Sequence, residues 1–146
     1  MSPLTGLAFL AGLVVLSLVI GLVLRARNGR VTHPAVDDRL DPGLFGVDAL
    51  GPAATVVQFS TEVCARCPGT KRLLTALADE REGVDFVHVD VTHNPALASR
   101  FNLLQTPTVL VLDGAGRTAA RLSGVIARES VIAELDVVGE GNRARG

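Results

Sequence analysis

The sequence predicts an α/β domain built on a mixed β-sheet with flanking helices, preceded by one N-terminal transmembrane helix. Three observations lead to this fold class. Residues 4–24 form an unbroken apolar run, residues 53–138 alternate between strand and helix patterns, and a Cys-x-x-Cys pair stands between the first strand and the first helix of that region. The remaining segments are predicted to be a linker over 25–52 and a disordered tail over 139–146.

Composition excludes several classes of function. Hydrophobic residues make up 48% of the 146 residues and charged residues 20%, so part of the apolar surface is expected to meet something other than water. The formal net charge of −1 and the absence of Trp and Tyr argue against a nucleic-acid-binding surface. Two cysteines are too few for a secreted scaffold held by several disulfides.

The run from Leu4 to Leu24 predicts a single-pass membrane helix. It carries no charge, and at about 1.5 Å per residue it reaches about 31 Å. A cleaved signal peptide fits less well, because only Met-Ser-Pro precedes the run and no small-x-small cleavage site follows it. Arginines follow the run at positions 25, 27, 30 and 39 and none precedes it, which favours a main domain on the cytoplasmic face.

The linker over 25–52 is rich in Pro, Gly, Asp and Arg and has no sustained hydrophobic period. Within it, Leu44, Phe45 and Val47 are candidates to dock on the domain. The tail over 139–146, Gly-Glu-Gly-Asn-Arg-Ala-Arg-Gly, has nothing to bury and is therefore expected to be disordered.

The domain is predicted over 53–138, with its elements in the order β-α-β-α-β-β-α. Thr55 to Phe59 is a β-branched, apolar strand, and the continuous apolar run from Thr108 to Leu112 is typical of a strand buried on both faces. Asn94 followed by Pro95 is a helix N-cap and first-turn pair. The other predictions are strands over 84–91 and 117–122, and helices over about 65–80, from 94 toward 101, and over 127–138.

The chemistry is expected in the segment that contains Cys64, Arg66 and Cys67. When a Cys-x-x-Cys stands at a helix start, the first sulfur lies near the unpaired N–H groups of the opening turn. Those donors and the helix dipole stabilise a negative charge, so they favour thiolate over thiol. Arg66 adds a positive charge between the two cysteines. The pair could then cycle between dithiol and disulfide through a mixed disulfide.

Other interpretations remain open from the residues alone. The cysteines could form half of a zinc site completed by His88 and His93, with His33 as a spare ligand, or they could be incidental buried residues. Arg66 is more often simply solvated, and His88 more often a structural histidine with its hydrogen bonds satisfied.

The segment from about Thr55 to Val138 resembles thioredoxin. The resemblance rests on a strand followed by Cys-x-x-Cys at a helix start, a Thr-Pro before a buried strand, and a hairpin before the final helix. Its most specific elements are Cys64-Ala-Arg-Cys67, the segment Val89-Asp-Val-Thr-His-Asn-Pro95, the run Leu103-Leu-Gln-Thr-Pro107-Thr, and Gly124.

The resemblance implies a role for each residue of the site. Cys64 would be the exposed nucleophile and Cys67 the buried resolving cysteine. Pro107 would be a cis-proline facing the disulfide, and the backbone of Thr106 would pair with the substrate chain as a short added strand.

The sequence also departs from the family's pattern. Val63 stands where a Trp usually precedes the first cysteine, and Ala65-Arg66 stands where thioredoxins carry Gly-Pro. The buried Asp of the first strand is matched by Gln58, which cannot act as a base, and its Lys partner is matched by His88. Pro68 follows the second cysteine directly, and the family's additional N-terminal strand and helix have no clear counterpart over 31–52.

The sequence therefore predicts a membrane-anchored thiol–disulfide oxidoreductase of the thioredoxin-like family that reduces protein disulfides. No metal or organic cofactor is expected, and electrons would come from a donor protein. One alternative is the same fold facing outward and serving extracytoplasmic thiols, for instance in cytochrome maturation. Another is a non-catalytic adaptor that binds partners at the membrane.

Overall fold

The computed structural model describes residues 3–27, 29–34 and 39–145. Residues 1–2, residues 28 and 35–38 of the predicted linker, and residue 146 of the predicted tail lie outside the described residues. The elements are α1 Pro3–Arg27, β1 Val31–Thr32, a 3₁₀-helix Pro42–Phe45, β2 Ala54–Ser60, α2 Cys67–Asp79, β3 Val84–Asp90, α3 Pro95–Arg100, β4 Thr108–Asp113, β5 Thr118–Ser123 and α4 Arg128–Arg145.

Helix α1 contains the predicted apolar run. Its stretch Pro3–Ala26 has a mean hydropathy of 2.9, and none of it is buried against the rest of the chain. Among the described residues it is the one helix long and apolar enough to cross a membrane.

The sheet is mixed, as predicted. Its strand order is β1-β5-β4-β2-β3, in which β2 and β3 are parallel and the other neighbours are antiparallel. Strand β2 lies between β3 and β4, so Phe59 faces Val89 on one side and Thr108 on the other.

Both faces of the central strands are covered, which explains why they are almost continuously apolar. Every residue of β2 and of β4 is buried. Neighbouring residues point to opposite faces, so Val56 contributes to the core under α2 and α4, and Val57 contributes to the core under α3 and the 3₁₀-helix. The first core also contains Leu74, Leu77, Val109, Val111, Val131 and Leu135, and the second contains Phe45, Phe59, Leu97, Leu110 and Leu112.

Part of the predicted linker belongs to the domain. The ring of Phe45 is 6% exposed and lies 6.2 Å from that of Phe59 and 5.8 Å from that of Phe101, measured between ring centroids. Leu44 and Val47 pack against the same core, so the expected docking of all three residues is confirmed. Strand β1 and the 3₁₀-helix also lie within the linker predicted over 25–52, so this segment is a linker only in part.

The sequence predicts a disordered tail, but residues 139–145 are helical. Helix α4 continues to Arg145, because Leu135 and Val138 anchor it in the core and the side-chain amide of Asn142 donates a 2.7 Å hydrogen bond to the Ala53 carbonyl. A helix that is already anchored extends at little cost through Gly139 and Gly141, since propagation needs no new nucleus.

Candidate functional site

The cysteine loop starts at one end of the sheet, where β2 ends and β4 begins. Phe59 pairs with Thr108, and Thr108 pairs with Ser123, so three neighbouring strands have their ends in one row. The loop after Ser60 meets the loop before β4, where the Thr61 and Thr106 hydroxyls are 3.3 Å apart. Segments far apart in sequence therefore meet beside the cysteines.

Cys64 and Cys67 are joined by a disulfide. The backbone N–H of Cys64 donates to the Thr61 carbonyl and that of Cys67 to the Cys64 carbonyl, at 3.1 and 3.3 Å. Because residues 61–67 form these turns, α2 begins at Cys67, two residues after the start predicted at about residue 65. Cys64 is partly exposed whereas Cys67 is 5% exposed, so Cys64 is the more accessible residue of the pair.

The Thr106–Pro107 peptide bond is cis, as the resemblance implies. Pro107 is buried and Thr106 is half-buried. The N–H of Gly124 donates a 3.0 Å hydrogen bond to the Pro107 carbonyl, which ties this loop to the end of β5. Gly124 has φ +83°, a left-handed conformation that favours glycine.

Gln58 lies under the disulfide loop and is fully buried. Its Nε2 donates a 3.0 Å hydrogen bond to the Cys67 carbonyl, while its Oε1 is buried and has no hydrogen-bond partner among the residues that the structure describes. The position matched to the family's carboxylate is thus a neutral amide that fixes the backbone of Cys67.

Ser60 and His88 form the second polar pair of the site. Ser60 is buried at the end of β2, and its Oγ lies 2.7 Å from Nε2 of His88 on β3. Partial burial lowers the pKa of His88, and the positive charge of Lys71 lowers it further, while Asp90 opposes the shift. The lowered pKa favours the neutral form of the His88 ring.

A threonine clamp, which sequence reasoning missed, fixes the segment before Cys64. The Oδ1 of Asp90 accepts hydrogen bonds from the side-chain hydroxyl and the backbone N–H of Thr92, and these bonds lower the pKa of Asp90. The Thr92 hydroxyl oxygen in turn accepts a 2.9 Å bond from the N–H of Glu62. An Asp two residues before a Thr at a strand end is the local signal for such a turn.

Arg121 holds the loop that leads to Thr106, and it was also missed. Its guanidinium donates to the carbonyls of Phe101 and Asn102 at 2.6 and 2.9 Å. Burial lowers the pKa of Arg121. Because Arg121 stands on β5, this contact could not be inferred from local sequence.

Of the three histidines considered as zinc ligands, His88 lines a cavity with the cysteines, whereas His33 and His93 contact glutamates. His88 contacts Ser60, His93 lies 3.6 Å from Glu62, and His33 lies 3.0 Å from Glu134. Over 3–27, 29–34 and 39–145, no group of three or more His, Cys, Asp or Glu side chains could hold a metal ion. The zinc interpretation therefore lacks a ligand set in this part of the chain.

Both cysteines line a shallow cavity of about 230 Å³ together with Ser60, Lys71 and His88. This volume is below the roughly 300–1,000 Å³ typical of small-ligand pockets. The site therefore suits a chain that lies across its surface better than an enclosed small molecule.

Comparison with known proteins identifies the family. The family model named Thioredoxin matches residues 49–137. The chain belongs to the thioredoxin family. It is 38% identical over 69 residues to Thioredoxin H2 of Arabidopsis thaliana, a match covering 47% of this chain and 51% of that protein. It is 28% identical over 54 residues to the thioredoxin of Methanocaldococcus jannaschii, covering 36% and 64% of the two chains.

The chain thus spans between half and two thirds of the length of these curated thioredoxins. A crystal structure of a designed protein is similar to this chain, with a TM-score of 0.52 and 24% identity over 60% of this chain and 78% of the other. That likeness concerns the fold alone.

Two residues at the mouth of this thioredoxin site are exposed. Val63, which stands in place of the usual Trp, is 92% exposed. Arg66 is exposed at the N-cap of α2 and makes no side-chain capping bond; its backbone carbonyl accepts hydrogen bonds from Thr70. The structure thus supports a backbone role for Arg66.

We expect His88 to make the stability of the oxidised protein depend on pH. Its pKa is lower in the folded protein than the unfolded value of about 6.5. As pH falls below about 7, the unfolded chain binds the proton first, so the free energy of unfolding decreases until the folded pKa is passed. Urea unfolding in detergent at pH 7.5 and 5.0 should show a smaller decrease for His88→Gln than for the wild type. Equal decreases in the two proteins would contradict the assignment.

Proposed function

We propose that this chain is a membrane-anchored thiol–disulfide oxidoreductase that reduces disulfides in partner proteins. The observation that carries the proposal is the Cys64–Cys67 disulfide at one end of the sheet of a thioredoxin domain, with Cys64 partly exposed and Cys67 buried. An accessible cysteine beside a buried one suits a two-step exchange in which the partner contacts only the first.

The reaction begins with the reduced dithiol. The Cys64 thiolate attacks one sulfur of the partner's disulfide, and the other partner sulfur leaves as a thiolate that takes up a proton. Cys67 then loses its proton and attacks Cys64, which releases the second partner thiol. Two electrons pass to the partner, and the chain is left with the Cys64–Cys67 disulfide.

Deprotonation of Cys67 needs an acceptor. Gln58 cannot take the proton, because an amide has no basic site near neutral pH. Neutral His88 and the Ser60 hydroxyl line the same cavity as Cys67, so we assign to this pair the role of receiving the proton. Gln58 holds the Cys67 backbone while the sulfur changes partners.

The substrate is an extended polypeptide. The half-buried Thr106 precedes Pro107 beside the cysteine loop, and its backbone groups are proposed to pair with the substrate chain as an added strand. The reaction uses no metal or organic cofactor, and a donor protein returns the disulfide to the dithiol.

Cys67→Ser should trap partners. Without the resolving sulfur, the mixed disulfide on Cys64 persists, so purification of the full chain from cells should recover partners that dithiothreitol releases. Cys64→Ser, the matched control, should trap none, and both variants should lose insulin reduction by roughly a hundredfold or more. Wild-type-like insulin reduction by Cys64→Ser, or no insulin reduction by the wild-type protein, would reject the proposed function.

We further propose that α1 is a membrane anchor and that the domain lies on the cytoplasmic face. The run from Leu4 to Leu24 is uncharged, and Arg25, Arg27 and Arg30 follow it within six residues. The flank rich in arginine favours the cytoplasm, where thiol pools keep the dithiol reduced.

A membrane-impermeant maleimide tests this orientation. Cys64 in the reduced chain should be protected in intact cells and should become labelled after lysis. Labelling of Cys64 without lysis would place the domain outside and favour the outward-facing alternative.

A further inference from the structure

The chain enters the domain at the same end of the sheet that carries the disulfide. The N–H of Gly29 donates a 3.0 Å hydrogen bond to the carbonyl of Ser123, the last residue of β5. Gly124, the residue that follows β5, donates a backbone hydrogen bond to the carbonyl of Pro107 beside the cysteine loop. The first contact after α1 is therefore made next to the candidate active site.

The segment then runs away from that end. Val31 pairs with Leu122 and Thr32 with Arg121. Further along, the N–H of Leu40 bonds the carbonyl of Gly116 in the turn at the opposite end of the β4–β5 hairpin. Because β1 runs from the disulfide end of the sheet toward the β4–β5 turn, helix α1 joins the domain at the disulfide end. The β4–β5 turn, called the distal turn below, lies at the other end.

Chain length limits how far the disulfide can lie from α1. Two residue steps separate Arg27, the last residue of the helix, from Gly29, a span of at most about 7 Å. Strands β1 and β2 are three positions apart in the sheet, or about 14 Å. Cys64 follows β2 by four residues and is turned back by its bond to Thr61, so it lies about 25 Å from the end of α1.

The entering segment is held in place by several contacts. Gly29 has φ +78°, and a Cβ there would stand 3.1 Å from the carbonyl oxygen of Val125. Thr32 donates to the Arg121 carbonyl, and His33 lies 3.0 Å from Glu134 on α4. Only one residue of sequence, Asn28, separates α1 from this attached segment, so the chain has no long linker that would let the domain move away from the membrane.

The same end of the domain exposes apolar side chains. Val63, Leu104 and Val125 are 92%, 86% and 52% exposed, and they stand beside Cys64, before Thr106 and after Gly124. In the described chain outside α1, Val137 is the other large hydrophobic residue with comparable exposure. An apolar rim around a disulfide near the bilayer suits a partner segment that is itself apolar.

We propose that the substrate disulfide lies in the membrane-adjacent segment of another membrane-inserted protein, within about 25 Å of the bilayer surface. This inference rests on the proposed function and on membrane anchoring by α1. The exchange is the one described above, with both electrons supplied by the Cys64 and Cys67 thiols. The short attachment raises the local concentration of the site near the bilayer. The site then cannot reach disulfides that lie far from the bilayer surface.

The test compares two substrates in lipid vesicles that contain the reduced full chain. Each is a single-span peptide with one disulfide, placed about 5 or about 40 residues from the membrane. We expect reduction of the near disulfide to be roughly tenfold faster or more. A 30-residue Gly/Ser spacer inserted between Asn28 and Gly29, about 30 Å in root-mean-square length, should abolish the preference. The same spacer appended after Gly146 is the control and should preserve it.

Soluble insulin separates the two levels of the proposal. Wild-type reduction of insulin together with equal rates on the near and far peptides would overturn this inference and leave the proposed function standing. Failure on insulin would reject the proposed function. Reduction of insulin but of neither peptide would indicate that lipid covers the apolar rim, and would also overturn the inference.

A distance measurement avoids any insertion into the chain. A dye on Cys64 in Cys67→Ser should transfer energy to headgroup acceptors more strongly than a dye at the distal turn, attached to Ala115→Cys in a Cys64→Ser, Cys67→Ser background. Stronger transfer from the Ala115→Cys position would show that the disulfide end points away from the bilayer and would overturn the inference.

Discussion

The structure depends on a central strand, β2, that is buried along its whole length. Helices cover both faces of β2, and strands pair with both of its edges. The chain therefore leaves β2 at its C-terminal end, after Ser60. The loop that leaves there is fixed by the turn at Thr61 and by the bond from Glu62 to Thr92. The position of the disulfide is thus set by backbone pairing of the sheet and not by the cysteines themselves.

The residue that lies under the disulfide loop, Gln58, is uncharged. Gln58 supplies a hydrogen bond to Cys67 but no ionisable group, and the nearest basic ring lies one strand away at His88, linked to Ser60. A neutral amide avoids the large cost of a buried, unpaired carboxylate. In the mechanism proposed above, the acceptor for the Cys67 proton is His88, whose pKa is lowered by partial burial and by Lys71.

The parts of the fold that follow from local pattern were predictable, and the parts that need distant partners were not. The runs at 55–59 and 108–112 predicted buried strands because only both-face burial tolerates such continuous apolar sequence. The two-residue strand β1 has no pattern of its own, since its partner β5 lies about 90 residues away. The helical end of α4 was missed because Asn142 is fixed by Ala53, a contact invisible to composition.

The same division applies to the site. Spacing and family resemblance identified Cys64, Cys67, Thr106 and Pro107, and the structure brings their loops together at one end of the sheet. The roles of Ser60, Thr92 and Arg121 come from contacts between elements far apart in sequence, so no motif could reveal them. Arg66, a candidate because it stands between the cysteines, contributes its backbone carbonyl to the first turn of α2.

We propose that the fold at this end of the sheet makes Cys64 the accessible attacking cysteine and Cys67 the buried resolving cysteine. The most direct measurement is timed alkylation of the reduced full chain at pH 7, with each cysteine quantified by mass spectrometry. We expect Cys64 to be modified roughly tenfold faster or more, because it is the more exposed residue and lies before the N-terminus of α2, where thiolate is favoured. Equal rates, or faster modification of Cys67, would contradict it.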